Sequence, residues 1–345
     1  MKGKRIGVPD RYEVRLEDFE IDDRTLRGSE VLLKTRCTLI SPGTELAIYT
    51  ALDKDVYKSG SWCHYPFSPG YISVGEVIRT GQDVSKVSKG DVVFTYSNHA
   101  SIARVDLART ICLKLPTDVD AEDSLFARAA TIAMTALRVS SGELGDNVAV
   151  VGLGLVGNMA AQLFTLAGMN VIGIDLIGER LRIAENCGVR YSVNPNRVDV
   201  RERVMELTGG EGCEVTVEAI GNPRTIETCC QITKPLGEVI LLGSPRGEYA
   251  TDLTEILNYV HLWPRGCLTF KGAHEWRFPV HQVEGSKHSI ERNTRIALDL
   301  ISEGRLRVKE LMTHVIKPEG MKEAYEGLLN RKDEYLGVII DWSDA

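Results

Sequence analysis

The densest chemical signal in this 345-residue chain is a glycine run set between a strand and a helix. Val148 to Gly157 reads V-A-V-V-G-L-G-L-V-G, and that context turns a common G-x-G-x-x-G match into a dinucleotide cradle. Gly152 permits the tight turn, Gly154 lets the backbone approach a pyrophosphate, and Gly157 allows the helix to pack closely on the strand. The helix N-terminus at Leu155 and Val156 offers unpaired N–H groups to the anion. Eighteen residues beyond Gly157 stands Asp175, whose carboxylate is placed to accept both adenosine ribose hydroxyls. A 2′-phosphate there would meet like charge, so the pair points to NAD. Arg180 and Arg182 lie close enough in sequence to keep an NADP reading open. The plain structural alternative is an unliganded glycine turn followed by an Asp that caps the next helix.

These residues need a particular scaffold, and the surrounding sequence supplies one. From Asn147 onward, strands alternate with helices: Asn147–Gly152, Leu155–Ala167, Asn170–Asp175, Glu179–Cys187 with Gly188 as C-terminal cap, Val189–Val193, Val198–Leu207, Glu214–Ala219 and Pro223–Thr233. Strands Glu238–Leu242 and Cys267–Lys271 follow. Parallel strands need crossovers that helices provide, so this region predicts a doubly wound α/β sheet. The first third differs. Glu30–Ser41, Tyr71–Arg79, Asp91–Thr95, Ser101–Val105 and Ile111–Leu115 are short strand-forming runs punctuated by Pro42-Gly43, Pro69-Gly70, Gly81-Gln82 and Lys89-Gly90, which read as turns. Ala121–Leu137 reads as helix, and the tail from Thr294 holds two helical stretches and a last strand, Leu336–Asp341.

Composition narrows the function classes. Forty-one basic against 48 acidic residues leave a net charge of −7, and no Lys/Arg run suits nucleic acid or a membrane surface. The basic start Met1–Arg5 leads into polar sequence rather than an apolar signal core, and no apolar run is long enough to span a bilayer, so a cytoplasmic location is expected. Eight cysteines occur without C-x-x-C spacing, which fits reduced thiols packed in cores.

A β-rich unit ahead of a nucleotide domain resembles the medium-chain dehydrogenase/reductase superfamily, and most of all its zinc-type alcohol, sorbitol and threonine dehydrogenase branch. The likeness is carried by Gly43–Leu46 (G-T-E-L), Pro69–Val77 (P-G-Y-I-S-V-G-E-V), Lys89–Phe94 (K-G-D-V-V-F), Val151–Gly157 and Thr313–Tyr325. It implies a Rossmann domain over 131–274 and a GroES-like, mostly β catalytic domain over 1–130 and 275–345. It also implies cofactor contacts from Ala219, Ile220, Gly243 and Ser244. The family's metal ligands do not carry over. Ser41-Pro42 stands where zinc enzymes place a Cys, Gly70-Tyr71-Ile72 stands where they carry G-H-E, and the third ligand position falls near Arg128. No clustered cysteines follow Phe94 to form a structural zinc lobe. The resemblance is therefore to a metal-free member of a largely zinc-dependent branch.

Without zinc to stabilise an alkoxide, hydrogen-bonding groups and a base of suitable pKa must serve. Four candidates fall at positions the resemblance puts at the family's substrate cleft. Thr44 would contact the substrate hydroxyl and relay its proton, or satisfy a turn. Tyr71 would donate from its phenol, or plug the vacated metal cavity with its ring. His99 would serve as a general base, or is a plain loop histidine. Glu45 would act behind them, or pair with a neighbouring Arg. Tyr96, Asn98, Arg128, His64 and His274 are candidate substrate contacts, and His314 reads as structural.

The leading expectation is an NAD-dependent, zinc-independent dehydrogenase of a polar secondary alcohol, such as a sugar, cyclitol, polyol or biosynthetic intermediate. S-P-G-T-E also resembles a bacteriochlorophyll-pathway dehydrogenase of the same superfamily. The alternatives are a metal-free enoyl or quinone reductase and a catalytically silent nucleotide-binding protein. A homodimer or homotetramer is expected, with Cys267–Lys271 as an edge strand that pairs between subunits.

Overall fold

The computed structural model describes residues 1–344. The chain forms two units. The first comprises Met1–Arg128, Phe278–Gly304 and the chain from Leu311 onward; the second comprises Ala129–Arg277 and Arg305–Glu310.

The second unit is built on six parallel strands. Across the sheet they run Tyr191–Val193, Asn170–Ile174, Asn147–Val151, Cys213–Glu218, Thr233–Leu241 and Thr269–Gly272. The first strand in sequence is central and the order reverses beside it, which opens a crevice at the carboxyl ends of Asn147–Val151 and Cys213–Glu218. Val148, Ala149, Val150, Val215 and Val217 are fully or almost fully buried, because helices cover parallel sheets on both faces and strands there carry continuous apolar runs.

The first unit holds a sheet ordered Met312–Ile316, Gly337–Asp341, Glu30–Leu39, Ser73–Thr80, Val92–Thr95 and Cys112–Lys114, with Ile102–Asp106 also paired to Glu30–Leu39. Apart from the parallel pair of Met312–Ile316 and Gly337–Asp341, its ladders are antiparallel. One core packs Ile6, Ile40, Tyr49, Tyr325, Ile340 and Trp342 together.

Several local expectations are corrected. Pro42-Gly43 begins a helix, Pro42–Tyr49, rather than making a turn; Pro suits the first helical position, where its missing N–H costs nothing. Ala121–Leu137 is two helices, Ala121–Leu125 and Ala127–Val139, with the chain tightening to an i→i+3 bond at Phe126. An N-terminal hairpin, Lys2–Gly7 with Arg15–Glu20, and a helix, Leu253–His261, carry too little buried apolar patterning to be read from sequence. In the tail, Arg305–Glu310 belongs to the second unit, tied there by Arg307 N donating to Gln162 Oε1 at 2.8 Å and Gln162 Nε2 donating to the Arg307 carbonyl at 3.0 Å. Seven of the eight cysteines are buried and Cys267 is half-buried, all as free thiols. No helix among the described residues is long and apolar enough to cross a membrane.

Candidate functional site

In the second unit the strand Asn147–Val151 delivers the chain to Gly152, whose φ of +94° is a conformation that side-chain-bearing residues rarely adopt. At Gly157 a Cβ would lie 1.8 Å from the Gly152 carbonyl oxygen, so any side chain there would pry the helix Leu155–Leu166 off the turn. Gly154 is the N-cap of that helix and has no side chain to fill its orphan N–H groups. The turn fits a pyrophosphate.

Asp175 follows the next strand. Its Oδ2 accepts from Leu153 N at 2.8 Å and its Oδ1 from Ile177 N at 2.9 Å, which fixes the carboxylate beside the glycine turn while each oxygen keeps a lone pair. Arg180 Nη1 lies 4.0 Å from Asp175 Oδ2, whereas Arg182 turns away to Glu179. The loops after the next two strands interlock: a Cβ at Gly243 would strike Gly221 N at 2.2 Å, and one at Gly221 would strike the Ser244 carbonyl at 2.4 Å. Ala219 N donates to the Val151 carbonyl at 2.9 Å, and Ile220 stands half-exposed over Gly152.

Glu218 was missed by sequence reasoning. Its Oε1 accepts from Ile220 N, Gly221 N and Thr225 Oγ1, each at 3.0 Å, while burial pushes its carboxyl up despite these donors. The available signal was an acidic residue closing the apolar strand V-T-V-E.

In the first unit the candidates separate into two clusters. The inner one is closed to solvent. His99 Nε2 lies 3.0 Å from Glu45 Oε2, and His99 Nδ1 lies 2.8 Å from Thr38 Oγ1. Tyr325 OH donates to Glu45 Oε2 at 2.8 Å, Ser41 N donates to Glu45 Oε1 at 2.7 Å, and Trp342 Nε1 donates to Thr38 Oγ1 at 3.0 Å. One directional pattern satisfies every atom: Trp342 to the Thr38 oxygen, Thr38 O–H to His99 Nδ1, and His99 Nε2–H to Glu45. Two expectations change here. His99 is fully buried rather than a pocket-wall residue, and Glu45 pairs with His99 and Tyr325, not with an arginine.

The outer cluster gathers Ser41, Tyr71 and Arg128, which stand where the resemblance would put the family's metal ligands. Ser41 Oγ and Tyr71 OH share a short hydrogen bond, and Tyr71 OH reaches Thr44 Oγ1 at 3.4 Å. Ser41 caps the helix Pro42–Tyr49 without using its side chain, which leaves its hydroxyl for Tyr71. The Arg128 guanidinium lies over two rings, 5.0 Å from the Tyr71 centroid and 4.2 Å from that of Tyr96, and Nη1 donates to Tyr96 OH at 3.2 Å. Burial pushes the Tyr71 phenol up, with Arg128 and the Ser41 and Thr44 hydroxyls acting the other way. A serine hydroxyl, a neutral phenol and a guanidinium are not a zinc donor set, so these residues do not fit the metal.

The remaining candidates are not members of either hydrogen-bonded cluster. Asn98 is exposed and its amide bonds to the Ser68 carbonyl. His64 is exposed on the loop before Gly70. His274 is exposed in the second unit, just beyond the strand Thr269–Gly272. His314 stacks on Tyr335 with ring centroids 3.8 Å apart.

The zinc-binding dehydrogenase family profile matches residues 156–280, a region that begins just before the last glycine of the cradle and holds five of the six parallel strands. D-guloside 3-dehydrogenase of Shigella flexneri is 30% identical over 222 residues, covering 59% of this chain and 63% of that protein. These likenesses make the chain similar to the medium-chain dehydrogenase/reductase family, in its zinc-type alcohol dehydrogenase-like group. Within that family, L-threonine 3-dehydrogenase of Caldanaerobacter subterraneus is 29% identical over 254 residues, covering 65% of this chain and 72% of that protein. An oxidoreductase/dehydrogenase of unknown specificity from Escherichia coli shares the fold, with a TM-score of 0.82 at 18% identity over 99% of both chains. The match to the D-guloside enzyme thus spans less than two thirds of that relative. A nicotinamide nucleotide is the cofactor typical of the family.

Proposed function

We propose that the protein is an NAD-dependent, zinc-independent oxidoreductase that interconverts a polar secondary alcohol and its ketone. The observation that carries the reading is the Tyr71 hydroxyl, shared between Ser41 and Thr44 beside the Arg128 guanidinium. NAD, when bound at Gly152–Gly157 and Asp175, supplies the hydride acceptor. Tyr71, held neutral by burial, donates a hydrogen bond to the substrate oxygen and exchanges its proton through Ser41 and Thr44. Arg128 favours negative charge developing at that phenol, which supplies by electrostatics what a metal ion would otherwise supply at the substrate oxygen. Glu45 and His99 hold the helix start that carries Ser41 and Thr44, so they are positioning residues.

The substrate class rests on the polar character of Thr44, Tyr71, Tyr96 and Arg128 and on the similarity to an enzyme named for a guloside. Purified protein assayed with NAD and NADP against sugars, polyols and enones, together with elemental analysis for zinc, tests the reading. NAD-linked turnover of a polyol or sugar at less than one tenth zinc per chain supports it. Stoichiometric zinc, or turnover of enones alone, sinks it.

We also read the protein as a homodimer or homotetramer. The strand Thr269–Gly272 is paired on one side only, and the nearby helix Leu253–His261 buries none of its residues, leaving Leu253 62% and the following Trp263 66% exposed. Light scattering that gives one chain's mass at micromolar concentration refutes this.

A further inference from the structure

A second charged recess lies in the first unit, apart from both clusters described above. It is a concavity of about 560 Å³ lined by Lys86, His281, Ser289, Glu291, Arg292 and Arg295. Three permanent cations thus stand around one carboxylate, on a chain whose net charge is −7.

The geometry explains how those cations are held. Glu291 Oε1 lies 2.9 Å from Arg295 Nη2 and 3.3 Å from Lys86 Nζ, and Glu291 Oε2 lies 2.6 Å from His281 Nδ1. His281 Nε2 donates to the Leu107 carbonyl at 2.9 Å, which anchors the ring. Arg292 stands beside this group, with Nη1 at 3.1 Å from His288 Nδ1. A central carboxylate that fixes long cationic side chains removes the entropy they would otherwise lose when an anion arrives. Lys86 and Arg295 each retain donors beyond the bond to Glu291. The smaller adjoining recess, about 240 Å³, carries Asp83, so an anion belongs in the larger one.

We propose that this recess binds a small phosphorylated anion through Lys86, Arg292 and Arg295, with Glu291 as the organising carboxylate. The proposal does not depend on the redox reading. Inorganic pyrophosphate titrated calorimetrically into the intact protein at fixed ionic strength is the probe. The expected result is a single saturable site that weakens at least tenfold in Arg292→Met, with the melting temperature of that variant unchanged, and weakens further in the Lys86→Met/Arg292→Met double variant. Arg292 makes no bond to Glu291, so its replacement leaves the anchoring intact. Absence of saturable binding overturns the proposal. Binding that survives both substitutions does too, because it then belongs elsewhere, the glycine turn of the second unit included.

Discussion

A single methyl group at position 70 would strike the His99 backbone nitrogen at 2.5 Å and the His99 ring at 2.8 Å. Gly70 also sits at φ +96°, so the sequence Gly70-Tyr71 is a steric agreement between the loop carrying the phenol and the histidine buried beneath it. Gly70→Ala is expected to lower stability by about 2 to 3 kcal/mol, read from urea denaturation. An unchanged midpoint would mean that the loop re-routes at little cost.

Glu45 accepts from three donors, the buried His99 and Tyr325 and the part-buried Ser41 N. An abandoned buried donor costs about 1 to 3 kcal/mol, so Glu45→Ala should cost about 3 kcal/mol or more. Glu45→Gln keeps an acceptor oxygen and should recover part of the loss. Equal destabilisation by both variants would point to charge rather than hydrogen bonding.

Tyr71→Phe removes the hydroxyl and keeps the ring under Arg128. Under the proposed function kcat falls about 100-fold, the lower range for a lost acid/base group, while nucleotide affinity and melting temperature stay close to the parent. Full turnover in this variant would remove Tyr71 from the chemistry.

Asp175→Asn keeps an acceptor beside Leu153 N and removes the charge that disfavours a 2′-phosphate. Under the proposed function, the preference for NADH over NADPH in fluorescence titration should fall about tenfold, equivalent to about 1.4 kcal/mol. A parent protein that binds NADPH as tightly as NADH would overturn the assignment before any variant is made.

Burial raises Glu291, but His281, Arg295 and Lys86 outweigh it and bring the carboxyl from its ordinary 4.5 to about 2. A depressed acid stabilises the fold fully above its unfolded pKa and loses that contribution as pH falls toward the folded value. Glu291→Gln should therefore cost about 2 kcal/mol at pH 7, with the gap to the parent narrowing steadily below pH 4.5. A gap independent of pH would assign the effect to packing.

The second unit was legible because its signals are local. Apolar strand runs, a glycine at a forced positive φ and an acidic residue at the next strand's end each announce themselves within a few residues. Arg128 and Tyr71 could be placed only by resemblance, since 56 residues separate them before folding brings guanidinium to ring. The His99 network was illegible for the same reason: its partners, Thr38 and Glu45 on one side and Tyr325 and Trp342 on the other, come from two stretches of chain far from it in sequence, and nothing in N-H-A marks a histidine as buried. Pro42-Gly43 misled because the same dipeptide serves a turn or a helix start, and only the packing of Ala47, Ile48 and Tyr49 decides.

The strand Gly337–Asp341 lies between Met312–Ile316 and Glu30–Leu39, and Trp342 completes the hydrogen bonding of Thr38. On the ribosome, residues 129–277 are complete before residues 278–344 are made and can settle as a body. His99, made long before, must then wait for Tyr325 and Trp342 to supply its surroundings. Until they arrive, an incomplete sheet edge and an unsheltered imidazole are open to chaperones and proteases. Lesions in the last twenty described residues should accordingly appear in cells as low yield, before any catalytic defect can be measured.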